Sequence, residues 1–169
     1  VADDGKLTAG KPAQAIEDRI AQVTQEAYDN GDYIFVAMDR HDEGDTFHPE
    51  TKLFPPHNIA GTSGRELYGK LAGVYDAIKD DNRVFWMDKR HYSAFSGTDL
   101  DIRLRERRVT TVVLTGVLTD ICVLHTAIDA YNLGYDIEVV ASATASLTPE
   151  AHDFAIGHFK NVLGATIVE

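Results

Sequence analysis

The chain has 169 residues, 44% hydrophobic and 25% charged, with 16 Lys and Arg against 27 Asp and Glu for a formal charge of -11. That length suits one domain that buries about two thirds of its unfolded surface without disulfide or metal staples, and no apolar run approaches the ~20 residues needed to span a bilayer. The acidic balance, with Lys and Arg scattered, argues against nucleic acid or membrane as a partner, and a lone cysteine without a signal peptide suits a reducing cytoplasm.

Apolar strands alternate with amphipathic helices, with no internal repeat, low-complexity tract or linker between them. This is the pattern of a parallel sheet covered by helices in a single domain over residues 1–169. In chain order the periodicity predicts a helix at 12–30, a strand at 33–39, a helix at 67–79, a strand at 83–87 and a helix at 99–107. A strand at 110–115, a helix at 120–133, a strand at 136–140, a helix at 149–163 and a strand at 165–168 follow. Pro12 and Pro149 suit first helical turns, and Gly31, Gly134 and Gly164 suit helix ends. Ligands of such sheets bind beyond the carboxyl ends of the strands, where Asp39, Lys89 and Cys122 all fall.

Three clusters there could carry chemistry. Asp39 and His41 stand two apart as a strand runs out, so they share a face, and the loop after them can fold His57 back. Two imidazoles and a carboxylate make a facial ligand set for Zn, Fe(II) or Mn(II), with Glu50 as a further ligand or as the partner that orients a histidine. The alternative is that His41, His48 and His57 are solvated loop residues. Lys89 is either a surface lysine or the cation that lowers the pKa of a thiol on the neighbouring strand end. Cys122 is either a small buried hydrophobe or a nucleophile whose place in a first helical turn favours the thiolate and supplies backbone donors for an oxyanion. Of the flanking aromatics Phe54, Trp86, Tyr92 and Phe95, which could sandwich a flat ring, Trp86 reads as core.

Three motifs carry a resemblance over essentially the whole chain. They are D-R-H at 39–41 with His57 downstream, K-R-H-Y-S-A-F-S-G-T-D-L at 89–100, and G-V-L-T-D-I-C at 116–122. The chain resembles the nicotinamidases, or pyrazinamidases, of the isochorismatase-like cysteine hydrolases. The last two motifs carry the superfamily and the first carries its metal-binding branch. The resemblance implies a three-layer, doubly wound, mostly parallel sheet with helices on both faces. It also implies hydrolysis of nicotinamide, and of pyrazinamide, to the acid and ammonia through a thioester on Cys122. Lys89 becomes the basic member of an Asp, Lys, Cys triad, and Asp39, His41 and His57 become metal ligands, with Glu50 near or on the ion. That ion, zinc first and Fe(II) or Mn(II) otherwise, positions the ring nitrogen of the substrate. Phe54 and Tyr92 border the ring, and a cis peptide at Val117 and Leu118 aims the Leu118 N–H, with that of Cys122, into the oxyanion hole. The partner is a small molecule, and a homo-oligomer is compatible with this reading.

Two departures stand against the family pattern. In relatives a strand of the form D-x-x-x-D-F precedes the segment VADDGKL, and its first aspartate is the triad's base; neither Asp3 nor Asp4 matches it. That strand is expected in mid-sheet, between the strands at 33–39 and 110–115, so additional upstream residues are expected in the natural polypeptide. Ser142 stands where many relatives have aspartate, which leaves its hydrogen bonding open. Two other function classes compete: a metal-free hydrolase of the superfamily acting on another amide, carbamoyl or vinyl-ether group, and a binding protein with a dead site.

Overall fold

Five short β-branched and aromatic runs become parallel strands, and six helices pack on both faces of them, in a computed structural model that describes residues 1–169. The strands are β1 Ile34–Asp39, β2 Val84–Lys89, β3 Thr111–Val117, β4 Asp136–Ala145 and β5 Thr166–Val168. The helices are α1 Gly10–Ala15, α2 Glu17–Asp29, α3 Gly69–Ile78, α4 Leu100–Glu106, α5 Leu124–Leu133 and α6 Pro149–Asn161. β1 pairs with β2, and β3, β4 and β5 pair in that order, all in parallel. The edges of β1 and β3 that the sequence reading reserved for a further strand carry no partner strand.

Packing separates the helices. α2 lies on α3, β1 and β4, whereas α5 and α6 lie on β4, β5 and each other. The principal core is on the latter side, where Met87, Ile137 and Val139 meet Leu104 of α4, Ala127 of α5 and Phe159 of α6. Phe159 and Val139 are wholly buried; each such side chain contributes about 1.5–3 kcal/mol relative to exposure. The helix ends follow their capping residues. Thr148 Oγ1 accepts from Ala151 N at 3.2 Å with Pro149 in the first turn, and Gly134 closes α5 at φ 82, where a Cβ would be strained.

Three expectations change. The helix expected at 12–30 is broken at Ile16, which sits at φ -91 and ψ 2 between α1 and α2. β4 runs five residues past Val140, because the β3 register jumps from Leu114↔Val139 to Gly116↔Thr144 and β4 rejoins β3 after the irregularity. Ser142, within that extension, accepts from Arg19 Nε at 3.2 Å.

Candidate functional site at the strand ends

The β1–β2 register sets Asp39 directly opposite Lys89, so the two last residues of neighbouring parallel strands present carboxylate and ammonium to each other. Lys89 is 4% exposed and donates to the Asp39 carboxylate, to His91 O at 3.0 Å and to Cys122 Sγ at 3.5 Å. Burial works against its charge, but the Cys122 sulfur and the Asp39 carboxylate outweigh it and hold the ammonium above the ordinary lysine value. The surface-lysine alternative is thereby excluded.

Cys122 arrives from β3 through a cis Val117–Leu118 peptide and a wide π-helical turn, Thr119–Val123, in which Val123 N donates to Leu118 O at 3.2 Å. Groups not visible in the sequence pattern hold this turn. Thr126 Oγ1 donates to Cys122 O at 2.7 Å and accepts from Ala94 N at 3.0 Å, tying the turn to the segment that follows Lys89. Ser146 Oγ donates to Asp120 Oδ1 at 2.6 Å, and the fully buried Thr119 bonds His152 Nδ1 at 3.0 Å.

The expectation of a resting thiolate is corrected. Burial pushes the Cys122 thiol up to about 11, the Asp39 carboxylate pushes the same way, and Lys89 only partly opposes them. Desolvation exceeds what the helix start supplies, so the sulfur rests as a thiol at neutral pH and reacts only when a base takes its proton. Lys89→Met removes the one opposing cation and is expected to raise the thiol pKa further. Alkylation of Cys122 by iodoacetamide at neutral pH, which follows the thiolate fraction, should then slow; an unchanged rate-against-pH profile would separate Lys89 from the sulfur.

Beyond β1 the chain turns back on itself. His41 N donates to Asn58 O at 3.1 Å and Ala60 N donates to His41 O at 2.8 Å, a short parallel bridge that brings His57 beside His41. Between them, His48 caps the turn Pro49–Lys52, its Nδ1 accepting from Glu50 N at 3.2 Å. The loop-solvated alternative fails here: His41, His48, Glu50 and His57 are 6%, 2%, 6% and 9% exposed. Glu50 Oε2 lies 3.3 Å from His57 Nε2 and 3.8 Å from His41 Nε2, and one ligand atom from each of the three falls within 4.8 Å of the others. Asp39, by contrast, is turned to Lys89 and lies outside this group.

Both ring nitrogens of His41 and the Nε2 of His48 are buried without a hydrogen-bond partner. Unpartnered imidazole nitrogens around a buried carboxylate are costly without a cation, so the donor set fits a divalent ion. Charge follows the same geometry. Burial and the neighbouring His57 and His48 keep His41 below its ordinary pKa, and so in its ligating form. Glu50 raises His57 against burial. Burial would raise Glu50 itself, but the bond from His57 and the charge of His41 hold it below the usual carboxyl range.

The aromatic candidates separate. Phe54 packs edge-on to His57, centroids 6.3 Å apart, in the wall of a cavity of about 640 Å³ shared with His41, His48 and Glu50. Tyr92 faces His125 in an adjoining cleft of about 360 Å³, and Glu50 lines both. Phe95 stacks on Tyr135 against the core, away from the two clefts. Trp86 is 37% exposed, not core: its Nε1 donates to Asp88 at 2.9 Å, which holds the indole outward against Tyr75.

The isochorismatase domain family matches residues 5–168. The pyrazinamidase/nicotinamidase from Streptococcus mutans UA159 is similar at 80% identity with a TM-score of 0.98, over 99% of this chain and 92% of that one. A PncA-named isochorismatase family protein of Bacillus subtilis (strain 168) is 54% identical over 169 residues, 100% of this chain and 92% of that protein. The pyrazinamidase of Pyrococcus horikoshii, solved in complex with zinc, shares 26% identity and a TM-score of 0.80 over 93% of this chain and 86% of that one. With a parallel α/β sheet, a cysteine and a lysine at its strand ends and a domain match along nearly its whole length, this chain belongs to the isochorismatase family.

Proposed function

We propose that this protein hydrolyses the carboxamide of a small aromatic ring, nicotinamide first and pyrazinamide with it, to the carboxylic acid and ammonia. The observation that carries the reading is the contact of Cys122 Sγ with a buried ammonium, Lys89, 3.5 Å away, beside a His, Glu, His group fit for a cation. The S. mutans and P. horikoshii relatives, named for this activity, support the same substrate class.

The chemistry runs in two halves. A base takes the Cys122 proton, the sulfur adds to the amide carbon, and the C–N bond breaks as nitrogen leaves with that proton as ammonia, giving a thioester. Water then cleaves the thioester, releasing the acid and restoring the thiol. The thiol at about 11 makes the base necessary. The family resemblance assigns this role to an aspartate expected before Val1; within the chain, Asp39 is the carboxylate joined to Lys89. Lys89 balances the charge that develops on sulfur, and the N–H groups of Leu118 and Cys122 hold the oxyanion.

His41, Glu50 and His57 would hold a divalent ion, zinc foremost, with Asp39 shared between that ion and Lys89. When bound, the ion supplies a Lewis-acid contact for the ring nitrogen and so fixes the ring's orientation. Phe54 and Tyr92 border the ring. A single reduced thiol suits a cytoplasmic location, and no helix is long and apolar enough to cross a membrane.

Purified protein should release ammonia from nicotinamide and carry about one zinc per chain by elemental analysis, with turnover lost on chelation and restored by zinc. Turnover indifferent to chelation would remove the ion from the mechanism. An ion without ammonia release would remove the amidase reading.

A further inference from the structure

Six charged side chains alternate in sign along the rim of the site. Asp45 pairs with Arg90; Arg90 Nη1 lies 3.0 Å from Asp42 Oδ2; Arg40 Nη2 lies 3.1 Å from Asp42 Oδ1 and its Nη1 3.2 Å from Asp88 Oδ2; and Asp88 pairs with Arg65. The two ends of this chain are the better buried, with the Asp45 and Arg65 side chains 18% and 13% exposed. Each end fastens a different loop. Asp45 Oδ1 accepts from Phe47 N at 2.9 Å, next to the turn of His48 and Glu50. Arg65, eight residues after His57, donates from Nε to Asp39 O at 2.9 Å. The middle is anchored on the β1 and β2 ends, where Arg40 N donates to Lys89 O at 2.8 Å.

An isolated exposed ion pair contributes little, because water and salt screen it and side-chain order costs entropy. Here every charge but the two terminal ones answers two opposite neighbours, and the links join three backbone segments that otherwise meet only through the His and Glu side chains. A metal site needs its donors held to within a fraction of an ångström, and partners beyond the ligands supply that order.

We propose that this six-residue charge belt is the positioning device for the ion site, with Arg90 the residue that clamps the Glu50 loop to the strand bearing Lys89. The inference rests on the metal-binding reading above. Its role is in holding donors, so its effect is read in ion affinity and not in the fate of the sulfur.

The test is zinc affinity of the chelator-stripped protein, measured by competition with a chromophoric chelator, together with the melting temperature of the stripped protein. Arg90→Gln should weaken zinc binding about tenfold while the melting temperature stays near that of the wild type. Arg90→Lys, which keeps a cation but cannot bridge both carboxylates, should fall between. Asp45→Asn should match Arg90→Gln and add little to it in the double variant, as expected for members of one network. Arg103→Gln, on the outer surface of α4 and paired with Asp99, should bind zinc like the wild type. Unchanged affinity in Arg90→Gln, or an equal loss in Arg103→Gln, overturns the belt and leaves the metal reading standing. A wild-type protein that takes up no zinc overturns both.

Discussion

Cys122→Ala is expected to abolish ammonia release from nicotinamide, by at least about 10³-fold, while leaving zinc binding and the melting temperature close to wild type. The sulfur is the chain's only thiol, and nothing else beside Lys89 can attack the amide carbon. Removing it takes a small group from a half-buried turn that is held by backbone and hydroxyl bonds: Thr126 to the Cys122 carbonyl, Ser146 to Asp120, and Thr119 to His152. None of these uses the sulfur, so the turn should persist. Cys122→Ser should be nearly as inactive, because a hydroxyl in the same desolvated place is far harder to ionise than a thiol already raised to about 11. Retained activity in the alanine variant, measured by ammonia release, would assign the chemistry to the ion site alone.

His57→Ala is expected to weaken zinc binding by more than about a hundredfold, beyond what loss of an outer partner costs, and to remove turnover with it. His57 Nδ1 donates to Pro55 O at 2.9 Å, which fixes the ring and leaves Nε2 aimed at Glu50. Without it, Glu50 faces only His41, whose nitrogens have no other partner to set their direction. His125, also a cleft imidazole but exposed and bonded to Ile121 O, is the control: His125→Ala should leave zinc affinity unchanged in the same competition assay. Equal affinity in the His57 and wild-type proteins would exclude the His, Glu, His group as the ion's seat.

Strands were legible because β-branched and aromatic runs bounded by turn residues have few other uses, and β1, β2 and β3 begin within a residue of their expected starts. The rest of β4 was hidden by composition: Ser142 and Thr144 in ASATA read as a turn, and only rejoining β3 after the irregularity makes them strand. The break at Ile16 lacked any Gly or Pro signal.

At the site, periodicity correctly put Asp39, Lys89 and Cys122 at strand ends, because chain direction in a parallel sheet decides that much. It could not say which way Asp39 turns. Alternation puts Asp39 on the face of His41, but the inter-strand register puts it opposite Lys89, and a buried ammonium at that distance is the stronger attraction. His48 looked like a solvated loop residue because its burial depends on His41 and Glu50 closing over it from either side. The ionisation of Cys122 was misjudged for a similar reason: the helix start is local and visible, whereas desolvation is a property of the assembled fold. The charge belt draws on residues 40–45, 65 and 88–90, whose proximity exists only once β1 and β2 have paired.

Trp86 is the chain's one tryptophan, and it sits against this rim, with its N–H on Asp88 and the Arg65 guanidinium carbon 5.9 Å from its ring. Intrinsic fluorescence therefore issues from a single place, next to the carboxylate that two arginines share. Emission wavelength and quencher accessibility of this unlabelled protein report on how tightly the loop bearing Arg65 is seated, without contributions from any other indole.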